Sequence, residues 1–511
     1  MAVANPERLL PDDDLNAALR ESVRPDGWQN PKPEGRYDLL VVGGGPAGWA
    51  AAVEGAELGA RVALVERAYT GGNHLLNGAI PTACLRRTAL NLVELQHAPR
   101  YGIIPAGRAV TESSGVWERM RYLRAQVGES WSCRRLQSLG VDVYFGDARF
   151  TDPHTIGLDG VSLGFGKAVI ATGSSVFQPP IEGLKDSLPL TTDDIFSLTV
   201  LPRRLAILGG GMVACEMGQL LARMGVEVTL VVRSRLLSSE DPDVAEVLQK
   251  VLERDGVKIL HGKLRRVHFE GATRSLVVDI LNGQKRVETD LLLSATGRMP
   301  NVIGLNLEAA LIEYDRKTGL RINRRLQTSN RSVYAAGDIC QARGFANAAD
   351  RMGRVAARNA LTPGWYGFQM DTVAWCVHTD PEVARVGINE ETATARQIPI
   401  RSYNLPLERV DRSITDGEED GFVRIHVLDG TDRIAGATVV ARGADDLIAP
   451  VAEAMNNRIG LLGLTNMQVP WPARSDMIRR VADSFRKDHP GGWWKQTCRE
   501  WVQAHRRKAS P

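Results

Sequence analysis

Two stretches of the chain run through the same succession of apolar and polar positions. Residues 37–66, YDLLVVGGGPAGWAAAVEGAELGARVALVE, open on an apolar run from Leu39 to Val42. They pass a glycine cluster, continue through an alanine-rich stretch and close on a second apolar run from Val62 to Val65. Residues 204–233, RLAILGGGMVACEMGQLLARMGVEVTLVVR, repeat the order, with the second run from Val226 to Val232. Short continuous apolar runs bounded by glycine predict buried strands, and the stretches between them predict helices. Each block is therefore a strand–helix–strand unit. Residues 257–294 are strand-rich and predict a meander that ends the second unit. Residues 1–36 are polar, partly acidic and proline-rich, and predict a surface arm. Residues 491–511 place Trp494, Thr497, Cys498, Trp501 and Val502 on one helical face.

Composition narrows the class. A chain of 511 residues should form roughly two to four domains with cores of ordinary size. A formal net charge of +3 is too small to argue for a nucleic-acid partner. The six cysteines (Cys84, Cys133, Cys215, Cys340, Cys376 and Cys498) are scattered, without a C-x-x-C pair or zinc-ligand spacing, so no metal is expected. Scattered thiols suit a reducing compartment, and a cytoplasmic location is the default expectation. No run approaches the ~20 apolar residues of a membrane span.

The glycine clusters carry chemistry. Gly43-x-Gly45-x-x-Gly48 follows the first strand: Gly43 makes the tight turn, Gly45 admits a pyrophosphate and Gly48 lets helix pack on strand. The helix N-terminus offers free N–H groups to phosphate. Glu66, at the end of the second strand, is placed to accept from a ribose hydroxyl. The second cluster is Gly209-x-Gly211-x-x-Ala214. Its second strand ends on Val232 and Arg233-Ser234-Arg235, with no acid. A carboxylate there would repel a 2′-phosphate, and arginines would bind it, so NADP(H) is expected in preference to NAD(H).

Residues 71–84, GGNHLLNGAIPTAC, then acquire meaning. With the two glycine motifs, they resemble the flavin-dependent pyridine nucleotide-disulfide oxidoreductases, whose active-site segment reads G-G-x-C-x-x-x-x-C-x-P-S-K. Further likenesses are Ala171-Thr172-Gly173, Ala295-Thr296-Gly297 with Arg298, Pro300 and Asn301, Tyr334-Ala335-Ala336-Gly337-Asp338, and residues 375–388. The lead-in Asp26-Gly27-Trp28-x-Asn30-Pro31 and Glu240-Asp241-Pro242 look closest to the mercuric reductase-like branch. The resemblance implies an α/β fold with two Rossmann-like domains, one for FAD and one for NAD(P), plus a C-terminal α+β dimerisation domain. It divides the chain into an arm (1–36), a discontinuous FAD domain (37–175 and 298–365), an NAD(P) domain (176–297), a dimerisation domain (370–490) and a Trp-rich basic tail (491–511). It also implies a homodimer. Gly72, Gly173 and Asp338 join Gly43, Gly45, Gly48 and Glu66 at FAD. Gly297 and Glu216 join Gly209, Gly211, Ala214, Arg233 and Arg235 at NADP.

The departures from the pattern set the functional expectation. The two cysteine positions hold His74 and Ala79, and the lysine position holds Ala83. In relatives that lysine pairs with a glutamate near flavin N5, matched here by Glu216. The C-terminal histidine position is Trp471, with Asp476 at the acid position, and the tail holds only Cys498. The expectation is an FAD-dependent NAD(P)H oxidoreductase that passes electrons directly to a small acceptor such as a quinone or oxygen. Mercuric and dihydrolipoamide reduction lose their required sulfurs. The alternatives are a soluble transhydrogenase and a non-catalytic flavoprotein subunit. His74, Glu216 and Trp471 are the candidate catalytic residues; His74 is read either as a proton donor or as a packed residue in place of sulfur. The tail is read as packing on its own dimer, or as a weak contact to a membrane surface or protein.

Overall fold

The computed structural model describes residues 9–107, 110–270, 273–340, 344–363 and 366–489, with 498, 500–503 and 505. The described chain divides into two compact units. One comprises Met1–Leu236 and Leu252–Gln369; the other comprises Leu237–Val251 and Met370–Pro511.

In the first unit, strands Val141–Phe145, Val62–Glu66, Tyr37–Val42 and Val161–Ile170 lie parallel in that order, with Val333–Ala335 beyond. Tyr37–Val42 and Val62–Glu66 are almost wholly buried, which accounts for their continuous apolar runs. The register Val42↔Val65 brings the first glycine loop level with Glu66. The helix Pro46–Glu57 starts on Gly45 with proline in its first turn, where a missing N–H costs nothing. Its alanines serve close packing. A β-carbon at Gly353 of helix Ala346–Leu361 would lie 2.0 Å from the Ala47 carbonyl oxygen, so these two helices meet backbone to backbone.

The second strand–helix–strand block builds the parallel sheet Lys258–His261, Glu227–Val232, Arg204–Leu208 and Leu291–Ser294. The expected meander is the antiparallel trio Lys263–Glu270, Thr273–Ile280 and Gly283–Thr289. The chain crosses between these sheets through Ser174–Val176 and Arg298–Pro300, which pair antiparallel. Asn301 ties the crossings: its Nδ2 donates to the Thr172 carbonyl (2.8 Å) and its Oδ1 accepts from the Ser175 hydroxyl (2.7 Å).

Residues 9–36 differ from the surface arm that the sequence predicts. Asp13 caps a helix, Asp14–Val23, whose Asn16, Leu19 and Val23 are buried. Leu19 and Val23 share a small core with Tyr69, Leu75 and Leu76. A polar residue, Asn16, opens the inward stripe and breaks the apolar periodicity that would have marked the helix.

The second unit is a five-stranded antiparallel sheet in the order Trp375–Val377, Glu382–Gly387, Ile434–Ala441, Phe422–Leu428 and Ile400–Pro406. The helices Ala444–Asn456 and Asp476–Asp488 belong to it. Residues 237–251 are held here by charge: Arg385 faces Glu240 at 3.5 Å, and Arg424 pairs with Asp241 and Asp243. Asp241 also accepts from the backbone N–H groups of Glu390 and Glu391 at the start of helix Glu390–Ala395. The Glu240-Asp241-Pro242 run therefore anchors the strand-to-helix corner of this unit.

Candidate functional site

At the first loop the backbone explains each glycine separately. Gly43 has φ +105°, and a β-carbon there would sit 2.4 Å from the Ala171 carbonyl oxygen. A β-carbon on Gly48 would lie 1.7 Å from the Gly43 carbonyl oxygen. At Gly45 the nearest neighbour would be Gly72 Cα, at 4.0 Å. Gly43 and Gly48 are required by protein packing; Gly45 keeps its side open, as a pyrophosphate needs. Glu66 accepts from Gly44 N–H (2.5 Å) and Ala68 N–H (2.8 Å), which fixes its carboxylate beside the loop. Burial raises its pKa, and these two N–H groups work against that rise.

Gly173, at φ +68°, has open space where a side chain would be. Gly337, at φ +79°, packs against Ala47, which brings Asp338 to the start of helix Pro46–Glu57. There the Ser174 hydroxyl donates to Asp338 Oδ2 at 2.8 Å. Ser174 is a junction. Arg298 donates from Nε to its hydroxyl (2.8 Å) and from Nη2 to its carbonyl (2.6 Å), and Asn73 Nδ2 reaches the same carbonyl (3.0 Å). Ser174, Arg298 and Asn73 escaped the sequence reading as site-builders. Asn73 and Asn77, one turn apart in a segment otherwise apolar around His74, were the available signal.

The segment 71–84 forms a helical turn, Gly72–Leu76, and then enters the helix Ala79–His97. Ala79 is exposed, and the ring of His74 stands 5.5 Å from Trp131, itself 5.2 Å from Trp49. His74 Nδ1 is buried and without a hydrogen-bond partner among the described residues, and burial lowers its pKa, so the ring is neutral at neutral pH. All six cysteines are free. Cys84 is half-buried, and burial pushes its thiol up in spite of Arg119 and Arg124 nearby; it is no activated thiolate. Helix Ala79–His97 packs on helix Met212–Arg223, which carries Glu216, half-buried.

The second cradle repeats the logic of the first. Gly209, at φ +136°, would place a β-carbon 2.4 Å from the Ala295 carbonyl oxygen, whereas Gly211 has nothing within 4 Å. Ala214 is fully buried. Gly297, at φ +115°, is open as well. Arg233 is exposed and Arg235 half-buried. The Arg235 carbonyl lies 3.3 Å from a β-carbon built on Gly210, so the arginine pair leaves its strand beside the glycine loop. Trp471 belongs to the second unit and is 77% exposed. Its loop is braced by Arg412 on the Pro472 carbonyl (3.0 Å) and by Arg474 on Glu418 (2.5 Å). Asp476 is engaged by Arg479 at 2.6 Å. Of the tail's apolar face, Trp494 and Thr497 lie outside the described residues, as do the basic Arg499, Arg506, Arg507 and Lys508; Trp501 is exposed.

Two glycine cradles on one chain find their counterpart in known proteins. Residues 37–353 match the pyridine nucleotide-disulphide oxidoreductase family, and residues 373–482 match its dimerisation domain. The chain belongs to this family. It is 32% identical to a mercuric reductase of Staphylococcus aureus over 89% of this chain and 83% of that one. It is 33% identical to a dihydrolipoyl dehydrogenase of Thermus scotoductus over 88% and 98%. Among solved structures, LpdA of Mycobacterium tuberculosis matches with a TM-score of 0.79 at 28% identity, over 88% of this chain and 99% of that one. The flavoprotein disulfide reductase RclA of Escherichia coli shares the fold, with a TM-score of 0.77 at 24% identity over 88% and 99%. The family implies FAD and a pyridine nucleotide, and the residues fit both: two loops combine a packed glycine with an open one at a helix N-terminus. The protein is an oxidoreductase of this family, and its dimerisation domain supports a homodimer. Among the described residues no helix is long and apolar enough to cross a membrane.

Proposed function

We propose that this family member is an FAD-dependent NADPH oxidoreductase that delivers electrons to a small acceptor without a redox disulfide. One observation carries the reading: both cradles are complete, while the two sulfur positions hold His74 and Ala79. FAD, when bound, would take a hydride from the reduced nicotinamide and pass electrons on. The chain's own residues do the rest. Open Gly45 and Gly211 and the helix N-termini behind them hold the pyrophosphates. Glu66 and Asp338 hold the sugar and ribitol hydroxyls. Arg233 and Arg235 engage the 2′-phosphate.

Ala79, small and exposed, leaves room for a second molecule where relatives carry sulfur. His74, neutral, suits hydrogen bonding to an acceptor carbonyl better than it suits donating a full proton at neutral pH. Names such as mercuric reductase among the relatives do not transfer, since that chemistry needs paired thiols close enough to bond. The test is steady-state NADPH oxidation against a panel of a benzoquinone, oxygen, oxidised NAD and mercuric ion. Turnover with quinone or oxygen supports the reading; turnover with NAD makes the enzyme a transhydrogenase. Turnover with mercuric ion alone overturns it.

A further inference from the structure

The helix Asp14–Val23 bears on the reaction segment from behind. Arg124, 3% exposed, donates from Nη1 to the Leu76 carbonyl at 2.9 Å, closing the C-terminal end of the turn that carries His74. Its Nη2 donates to Asn16 Oδ1 at 2.6 Å, and Asn16, 1% exposed, in turn donates to the Pro11 carbonyl at 2.7 Å. Arg121, one turn earlier on the same helix Ser113–Gly128, pairs with Asp13 at 2.7 Å. The Thr70 hydroxyl, just ahead of Gly71, bridges the carbonyls of Val23 (3.1 Å) and Trp131 (2.5 Å). Trp131 then packs on His74. The opposite side is pinned by Asn73 on Ser174 and by Asn77 on Asp193 at 3.0 Å.

We infer that the N-terminal helix is a positioning element of the active site, with Asn16, Arg124 and Thr70 as its positioning residues. A segment whose partner sulfurs are gone has lost the cross-link that would tie its first turn to the following helix. Here the first turn is tied instead to the N-terminal helix, through a buried guanidinium held at both ends. Burying such a charge is costly unless its donors are matched, and Asn16 and Leu76 provide the acceptors for its two Nη groups, while its buried Nε has no partner among the described residues. Placement of His74 and Ala79 then depends on residues 13–23, far from them in sequence. This inference rests on the reading of 71–84 as the acceptor-side segment.

The experiment compares hydrogen–deuterium exchange of the FAD-loaded protein with that of Asn16→Ala and Arg124→Lys, alongside kinetics of NADPH oxidation with a benzoquinone as acceptor. Lysine keeps the charge and cannot span both acceptors. The expected result is roughly 10-fold faster exchange confined to residues 70–78. The kcat should fall by about 10- to 100-fold, with KM for NADPH within about twofold, as misplacement of a reacting segment by an ångström predicts. Unchanged exchange in 70–78, or exchange raised equally across 37–170, would overturn the inference and leave only a general stabilising role. If the Asn16 variant does not fold, Thr70→Val, which removes the hydroxyl at similar volume, is read in the same way. Exchange needs no turnover, so a failure of NADPH to reduce the wild-type flavin would sink the electron-transfer reading alone.

Discussion

His74 shows how much one ring's surroundings decide. Stripped of water against Trp131, its imidazole has its pKa pushed down and stays neutral where an exposed histidine would titrate. The turnover profile near neutral pH should therefore lack a limb belonging to His74, and His74→Gln should leave its shape unchanged while lowering kcat. A limb that disappears in His74→Gln would assign the proton to this ring after all. Arg233 and Arg235 make a second residue-scale prediction. Charge-assisted hydrogen bonds contribute about 1.5–3 kcal/mol each, so replacing either with alanine should raise KM for NADPH by about 10- to 100-fold and leave KM for NADH nearly unchanged. Equal effects on the two coenzymes would remove the 2′-phosphate assignment. At this scale the sequence showed the glycines and Glu66, because backbone geometry admits few residue types there. It hid the roles of Ser174, Arg298 and Asn73, because hydrogen bonds between residues far apart in the chain have no spacing rule to betray them.

Among elements, the two kinds of glycine should part company. Gly43→Ala forces a side chain into the Ala171 carbonyl at a positive φ and should prevent folding. Gly45→Ala meets only Gly72 Cα at 4.0 Å, so the protein should keep its melting temperature to within a few degrees and be purified largely without flavin. Flavin retained at full occupancy in Gly45→Ala would place the pyrophosphate elsewhere. The strand Phe422–Leu428 carries a pH-sensitive group. His426 is fully buried; its Nδ1 meets the Ser402 hydroxyl at 2.9 Å, and burial lowers its pKa to about 4. The unfolded chain binds that proton more tightly, so the stabilisation is complete above the ordinary value near 6.5 and is lost as pH falls towards 4. The loss is of order 3 kcal/mol. Thermal melts of the wild type should fall over that window, and His426→Leu should flatten the fall; an identical slope in the variant would point to other groups. The nucleotide blocks and the 257–294 meander were legible because apolar strands and glycine turns repeat in order. The N-terminal helix was not, since Asn16 occupies its buried stripe to serve Arg124.

For the whole molecule, the division into two compact units sets what each part contributes. The first contains both cradles and the segment 71–84; the second contains the dimerisation domain and presents Trp471 on a braced, exposed loop. A family built to relay electrons through sulfur is represented here by a chain whose cradles are intact, whose cysteines are free and whose remaining thiol near the segment, Cys84, is pushed towards its neutral form. On the proposed reading the loss is local to the relay. The most direct test is an anaerobic titration of the FAD-loaded protein with NADPH, followed by flavin absorbance. The account predicts complete bleaching at two electrons per flavin, with no long-wavelength thiolate charge-transfer band. Uptake of four electrons per flavin with such a band would contradict it.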